Sequence, residues 1–141
     1  MKFILASHGG LAEGLLNSIN MLLGPQEEIE AYALLPEEEP ERLYERLEAA
    51  IRDDGDGEVF FFTDLYFGSP FNRVVELART RDIYHITGMN LPILIEALVA
   101  RNGGASCEGV LNAAMSVSGD CIKDVRSLLA EDGSAEDEEE W

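Results

Sequence analysis

The chain has 141 residues, 46% of them hydrophobic, and a formal net charge of −18 at pH 7. This length and apolar content predict one domain with a sizeable core over residues 1–130, and they exclude a chain that is disordered throughout. The acidic balance argues against nucleic acid and an anionic membrane surface as partners, and the acidic segment 131–141 is expected to be a disordered tail.

The sequence is expected to carry no targeting or membrane-spanning segment. It has no run of eighteen apolar residues, and the apolar stretch at residues 2–6 is too short for the core of a signal peptide. A cytoplasmic location is therefore expected. Cys107 and Cys121 lack the spacing of metal ligands, and we expect both to be reduced packing residues.

The first predicted strand leads directly into a helix, with a histidine between them. Phe3 to Ala6 form a wholly apolar run, typical of a strand buried on both faces, and the run ends in Ser7-His8-Gly9-Gly10. Apolar residues then recur three and four apart from Leu11 to Leu22, which predicts a helix ending near Gly24-Pro25. His8 therefore lies at the carboxyl end of a strand, where ligands bind in open parallel sheets.

The next two predicted strands differ in burial. Apolar and polar residues alternate over residues 28–33, which predicts a half-exposed strand at an edge of the sheet. A helical pattern covers residues 43–51, and the acidic, glycine-rich residues 53–57 are expected to form a loop. Val59 to Phe62 is apolar without alternation, so a central strand is predicted there, ending at Thr63-Asp64.

A third helix is predicted to begin at Ser69-Pro70, because serine is favoured at the N-cap and proline at the first helical position. Its buried face is expected to comprise Phe71, Val74, Val75 and Ala78. The loop before it contains Tyr66 and Phe67, which belong either to a lid or to a partner surface.

A fourth strand and helix follow the same order. The strand is predicted over Ile83 to Thr87, and Pro92 marks the start of the helix. Asn90 is expected to cap that helix. His85 lies inside the strand and is expected to be a packed or hydrogen-bonded residue.

The C-terminal part of the pattern is less decisive. Residues 110–115 are helical by spacing, whereas Cys121 to Leu129 fits a helix or a short strand by pattern alone. Four repeats of strand then helix predict an α/β fold: a three-layer, doubly wound, mainly parallel sheet in the order 2-1-3-4. An antiparallel edge strand would be added to it if residues 121–129 form a strand.

This strand order would bring His8 and Asp64, each just past a strand end, to the same edge of the sheet. A carboxylate that accepts the proton of one ring nitrogen directs the lone pair of the other toward solvent, as a nucleophilic imidazole needs. Peptide N–H groups around Gly9 and at the helix start at Ser69 would bind an anion. The simplest such anion is a phosphoryl group, carried on His8 without a metal or other cofactor.

These residues also carry a family resemblance. The motifs stand in order at three successive strand ends: Ser7-His8-Gly9 with Leu11-Ala12-Glu13; Thr63-Asp64 with Gly68-Ser69-Pro70-Phe71-Asn72; and Gly88-Met89-Asn90-Leu91-Pro92. In this arrangement the chain resembles the mannose-type (mannose/fructose/sorbose) enzyme IIA domain of the bacterial phosphoenolpyruvate-dependent sugar phosphotransferase system.

The resemblance implies a function and partners. His8 would take a phosphoryl group from the histidine-containing phosphocarrier protein and pass it to a IIB partner, which serves the membrane IIC and IID subunits. Asp64 would be hydrogen-bonded to the histidine, and Ser69 and Pro70 would begin the helix beside it. The resemblance also implies a homodimer that exchanges a carboxy-terminal strand near residues 121–129. No IIB-like domain follows in the sequence, so a IIB subunit on a separate polypeptide is expected.

Two other functions remain open at this point. The same histidine would serve the phosphocarrier subunit of a dihydroxyacetone kinase or a regulatory carrier. A flavodoxin-like ligand-binding module without covalent chemistry is disfavoured, because flavin sites need hydroxyl- or glycine-rich phosphate loops after the first strand. Ser7-His8-Gly9-Gly10 offers only one hydroxyl.

Overall fold

The structure, a computed structural model, describes residues 1–53 and 57–132. The strands in that part of the chain are β1 (Lys2–His8), β2 (Ile29–Leu34), β3 (Val59–Thr63) and β4 (Tyr84–Thr87). The helices there are α1 (Leu11–Leu23), α2 (Pro40–Asp53), α3 (Ser69–Ala78), α4 (Leu91–Asn102), α5 (Cys107–Ser118) and α6 (Val125–Asp132). Strand and helix alternate through α4, as the sequence pattern predicts.

The four strands form one parallel sheet in the order β2-β1-β3-β4. This confirms the predicted α/β fold and its strand order. Phe3 on β1 is paired with Phe60 on β3 and with Ile29 on β2, so β1 and β3 are the two central strands. Both are buried along almost their whole length, which explains why neither sequence shows alternation.

The core consists of two layers, one on each face of the sheet. On one face, the rings of Phe3, Phe60 and Phe62 lie with centroids 4.9–5.8 Å apart under residues of α1, α4 and α5. On the other face, Ile4 and Phe61 pack against α2 and α3. Burial of apolar surface on both faces fixes the central strands and therefore the edge at which they end.

Helix α3 differs in detail from the prediction. It begins at Ser69, and the N-cap residue is Gly68, so the expected N-cap at Ser69 was wrong by one residue. Its buried residues are Pro70, Val74 and Leu77, whereas Ala78 is exposed, contrary to the predicted face. Pro70 is thus the second helical residue, and Pro70, Val74 and Leu77 lie on one face of the helix because they are four and three residues apart.

The C-terminal segment, which the sequence pattern left open, is helical over Val125–Asp132, and α6 has no buried residue. No antiparallel strand occurs within residues 1–53 and 57–132, so residues 121–129 do not add an edge strand to the sheet. Residues 131 and 132 end α6, and the rest of the predicted tail, 133–141, lies outside the described residues. Residues 54–56 of the predicted loop 53–57 also lie outside them. In the described part of the chain, no helix has the length and apolar character needed to cross a membrane.

Candidate functional site

The candidate site lies where the two central strands end. Ala6 on β1 is paired with Thr63 on β3, so His8, the last residue of β1, and Asp64, the first residue after β3, lie at the same edge of the sheet. The turn into α1 begins at Gly9, and the loop into α3 runs from Leu65 to Gly68. The parallel register therefore brings together two segments that are far apart in sequence.

His8 and Asp64 are joined by two hydrogen bonds to a single oxygen. Asp64 Oδ2 lies 2.9 Å from His8 Nδ1 and accepts the backbone N–H of His8 at 3.0 Å. The hydrogen bond from the His8 backbone N–H holds the carboxylate in place, so the orientation of the carboxylate does not depend on the ring. An ionised carboxylate only accepts hydrogen bonds, so we assign the ring proton to Nδ1 and the free lone pair to Nε2.

The side chains of His8 and Asp64 differ in their exposure to solvent. The side chain of His8 is 46% exposed and that of Asp64 is 11% exposed. Asp64 Oδ1 is buried and has no hydrogen-bond partner among the described residues. The arrangement is a largely buried carboxylate beneath an accessible imidazole, which can hold a covalently bound group at Nε2 while Asp64 balances the charge that forms on the ring.

The turn between β1 and α1 is held by backbone and serine contacts. Gly9 adopts a left-handed φ of 54°, which glycine tolerates without strain, and its N–H donates to the Leu34 carbonyl at 2.8 Å. That N–H is thus already used in this structure, and a phosphate contact at Gly9 stays a prediction. The buried Ser7 Oγ accepts the N–H of Ala12 at 2.8 Å, a contact to the first turn of α1 that the sequence analysis missed.

The amino end of α3 lies beside the ring of His8. The Gly68 N–H donates to the Leu65 carbonyl at 2.9 Å and closes the turn before the helix. Ser69 follows as the first helical residue, so its N–H belongs to the first turn, whose donors have no partner within the helix. This end of α3 has the positive end of the helix dipole, which suits an anion bound at His8.

Exposed aromatic residues form the rim of the site. Tyr66 and Phe67 are 63% and 67% exposed, and their ring centroids are 4.0 Å apart. Both rings contact the Phe71 ring edge-on, at 5.2 and 5.6 Å. Phe67 has a φ of 63°, a left-handed conformation that bulky residues rarely adopt. We call Tyr66, Phe67 and Phe71 the aromatic rim.

The second histidine, His85, is partly buried, packed and hydrogen-bonded, as predicted. His85 Nε2 lies 2.7 Å from Thr63 Oγ1, which also bonds Thr87 Oγ1 at 3.0 Å, and the His85 ring packs against Phe71 at 5.2 Å. Burial lowers the pKa of His85 to about 4. The imidazole is therefore neutral near pH 7 and holds the end of β3 next to Asp64.

Asn90 and the cysteines also behave as predicted. Asn90 caps α4, where its Oδ1 accepts the Ile93 N–H at 3.1 Å. Cys107 and Cys121 are free thiols, and burial raises the pKa of Cys107 to about 11. Cys107 packs within the core and Cys121 packs against it.

A family comparison and curated relatives agree on one class of protein. The sequence model of the family EIIA-man, described as "PTS system fructose IIA component", matches residues 2–115. The chain is 32% identical over 133 residues to the mannose-specific EIIAB component of the phosphotransferase system (PTS) of Escherichia coli K12. That match covers 93% of this chain and 41% of the relative, so the chain spans about two fifths of its length. The fructose-specific EIIA component of Bacillus subtilis is 30% identical over 103 residues, covering 72% of this chain and 70% of that protein.

Solved structures show the same fold. The phosphotransferase-system component EIIA from Streptococcus agalactiae superposes with a TM-score of 0.82 at 25% identity, covering 89% of this chain and 98% of that chain. The IIA protein associated with the fucose utilization operon of Streptococcus pneumoniae gives a TM-score of 0.77 at 25% identity, covering 91% of this chain and 95% of that chain. The strand order and the helices that position His8 and Asp64 are thus those of this structural group.

Proposed function

Because the chain belongs to the EIIA-man family of phosphotransferase-system IIA components, we propose that His8 is the residue that carries the phosphoryl group. Family membership supports a phosphoryl carrier of a sugar phosphotransferase system. The observation that carries the assignment to His8 is its 2.9 Å contact with Asp64, combined with the exposure of the ring. His85, by contrast, is partly buried, is hydrogen-bonded to Thr63 and has no carboxylate partner among the described residues.

The proposed reaction is an exchange of one nitrogen–phosphorus bond for another. The lone pair of His8 Nε2 attacks the phosphorus of a phosphohistidine on the donor, a new N–P bond forms, and the donor's N–P bond breaks. The proton stays on Nδ1, so the phosphorylated ring gains positive charge, which the Asp64 carboxylate balances. A second transfer in the same manner moves the group from Nε2 to the acceptor.

Anion contacts at the site come from the protein backbone. The N–H of Ser69, at the amino end of α3, is proposed to bind the phosphoryl oxygens, and Gly9 contributes a contact only if its N–H leaves the Leu34 carbonyl. Positioning and charge stabilisation are what phosphoryl transfer requires of a protein. No step of this mechanism routes through a metal ion.

The partners are proposed from the family. The donor is the histidine-containing phosphocarrier protein, the acceptor is a IIB component, and the IIC and IID membrane subunits are indirect partners. Relatives of this chain are named for mannose, fructose and sorbose, which favours sugar uptake over the dihydroxyacetone kinase alternative. We propose a cytoplasmic location. We also propose a homodimer, which sedimentation of the purified chain would detect.

Transfer of a radioactive phosphoryl group from labelled phosphoenolpyruvate tests the carrier role. Wild-type protein mixed with phosphoenolpyruvate, the general phosphotransferase enzymes and the donor is expected to acquire an acid-labile label. The His8→Ala variant is expected to acquire none, whereas His85→Gln, the matched control for the second histidine, keeps the label. A folded His8→Ala protein that is labelled like the wild type would remove the proposal.

A further inference from the structure

Gly68 stands beside the reacting ring without a conformational need for glycine. Its φ of −73° and ψ of 168° lie in the extended region, which any residue can adopt. It is also the N-cap residue of α3, a position where serine, aspartate or asparagine would stabilise the helix as well or better. The backbone thus gives no reason for glycine at this position.

The space around Gly68 gives that reason. A Cβ atom placed on it would lie 2.8 Å from His8 Cε1 and 3.1 Å from the Leu65 carbonyl oxygen. Carbon atoms in contact prefer about 3.5–4.0 Å, so one group would have to move by roughly 0.7 Å or more. The Leu65 oxygen is backbone and accepts the Gly68 N–H at 2.9 Å, whereas the exposed ring of His8 can turn.

Turning the ring would separate it from its carboxylate. Cε1 is bonded to both Nδ1 and Nε2, so displacing this atom displaces the two nitrogens that the proposed mechanism uses. Nδ1 lies 2.9 Å from Asp64 Oδ2, and a shift of this size stretches or misaligns the hydrogen bond. The carboxylate itself would stay, because the His8 backbone N–H also holds it.

We infer that Gly68 is a positioning residue whose missing side chain lets the His8 ring lie against Asp64 with Nε2 free. This inference rests on the proposed carrier function of His8. In this role Gly68 acts through the ring, and the effect of a substitution should grow with the size of the side chain placed there.

Substitutions of graded size test the inference. In Gly68→Ala and Gly68→Val the Nδ1–H tautomer of His8, measured by two-dimensional ¹⁵N–¹H NMR of the ring, is expected to give way to a mixture of both tautomers. Labelling by the donor protein and by the small donor phosphoramidate is expected to slow by about 10- to 100-fold in the alanine variant, and further in the valine variant. Gly14→Ala is the matched control, because a Cβ there meets no described atom within 4 Å beyond its chain neighbours and the nearby backbone of its own helix. Its ring spectrum and labelling rates should equal those of the wild type.

A double-mutant cycle measures the clash without any phosphoryl transfer. If the His8 ring is what the new methyl group meets, Gly68→Ala should lower the melting temperature more in the wild-type background than in a His8→Ala background, where only the contact with Leu65 remains. A loss of stability that is equal in both backgrounds would overturn the inference. So would an unchanged ring spectrum in Gly68→Ala, whatever the labelling rate.

The failures of the two proposals are distinguishable. A wild-type protein that neither donor labels refutes the carrier function, while the ring spectrum and the double-mutant cycle still report on Gly68. A wild-type protein that is labelled at the same rate as Gly68→Ala and Gly68→Val refutes the role of Gly68 and leaves the carrier function intact.

Discussion

The charge of Asp64 can be removed while its size is nearly kept, in the Asp64→Asn variant. Asp64 Oδ2 accepts both His8 hydrogen bonds, at 3.0 and 2.9 Å, and an amide oxygen in the same place can accept them too. What the substitution removes is the negative charge that faces the imidazole as Nε2 gains a phosphoryl group and the ring becomes positive.

The size of the effect follows from the kind of hydrogen bond. Bonds to charged groups contribute about 1.5–3 kcal/mol and neutral ones about 0.5–1.5 kcal/mol, so about 1–2 kcal/mol of stabilisation is lost in the transition state. Transfer should therefore slow by about 5- to 30-fold, and by more if the amide NH₂ turns toward Nδ1 and moves the ring proton to Nε2. Stability should change little, because the variant removes a buried charge but places the amide NH₂ where the buried Oδ1 has no partner among the described residues.

The assay is the initial rate of label transfer from the phosphorylated donor protein, together with a thermal melt of the same sample. Asp120→Asn is the control, because it makes the same charge change at an exposed residue just after α5. A folded Asp64→Asn protein that transfers label within twofold of the wild-type rate would refute the reasoning about the carboxylate. A large loss of stability would refute the account of Oδ1.

Three further predictions concern two residues near the site and one at the opposite end of the sheet. The pKa of His85 is about 4 in the folded chain and 6.5 when unperturbed, so the unfolded state binds more protons between these pH values. As the pH falls from 7 to 4, the free energy of unfolding measured in urea should fall by about 2 kcal/mol more in the wild type than in His85→Gln. Equal losses in the two proteins would contradict this. Phe67→Gly should leave the melting temperature within a few degrees of wild type, since relief of about 1 kcal/mol of left-handed strain offsets the lost ring contacts. If the aromatic rim is a partner surface, the variant should have a higher KM for the donor protein but not for phosphoramidate. An equal change in KM for both donors would indicate a lid. The Arg101 guanidinium donates to the carbonyls of Glu27 and Glu28 and lies 4.6 Å from the centre of the Phe3 ring, so Arg101→Met should lose about 2 kcal/mol in urea unfolding, and a loss below about 0.5 kcal/mol would mean that these contacts are not stabilising.

The sequence alone predicted the sheet and the edge at which it would be used. The non-alternating runs at Phe3 to Ala6 and Val59 to Phe62 indicated central strands, because a strand covered on both faces has apolar residues on both faces and no alternation. Alternation of strand and helix implied right-handed crossovers and a parallel sheet, and hence a common edge for His8 and Asp64. Both patterns are local in the chain, so they can be read from the sequence without knowledge of contacts between distant segments.

The C-terminal segment shows where local signals fail. Residues 121–129 carried too weak a pattern to separate helix from strand, and α6 turned out to be a helix with no buried residue. An element that buries nothing leaves little periodicity in its sequence. The start of α3 was missed by one residue for a related reason: serine and glycine both occupy N-caps, and only the turn closed by the Gly68 N–H on the Leu65 carbonyl decides between them.

The tertiary structure decided the contacts that make the site specific. Sequence order placed His8 and Asp64 at one edge, but only packing brought Nδ1 to 2.9 Å from the carboxylate and left the ring accessible. Packing also set Gly68 against Cε1 of His8, a steric relation that no spacing or composition reports. Hydrophobic periodicity records which face of an element is buried, whereas distances of a few tenths of an ångström between distant segments depend on how all the elements pack together.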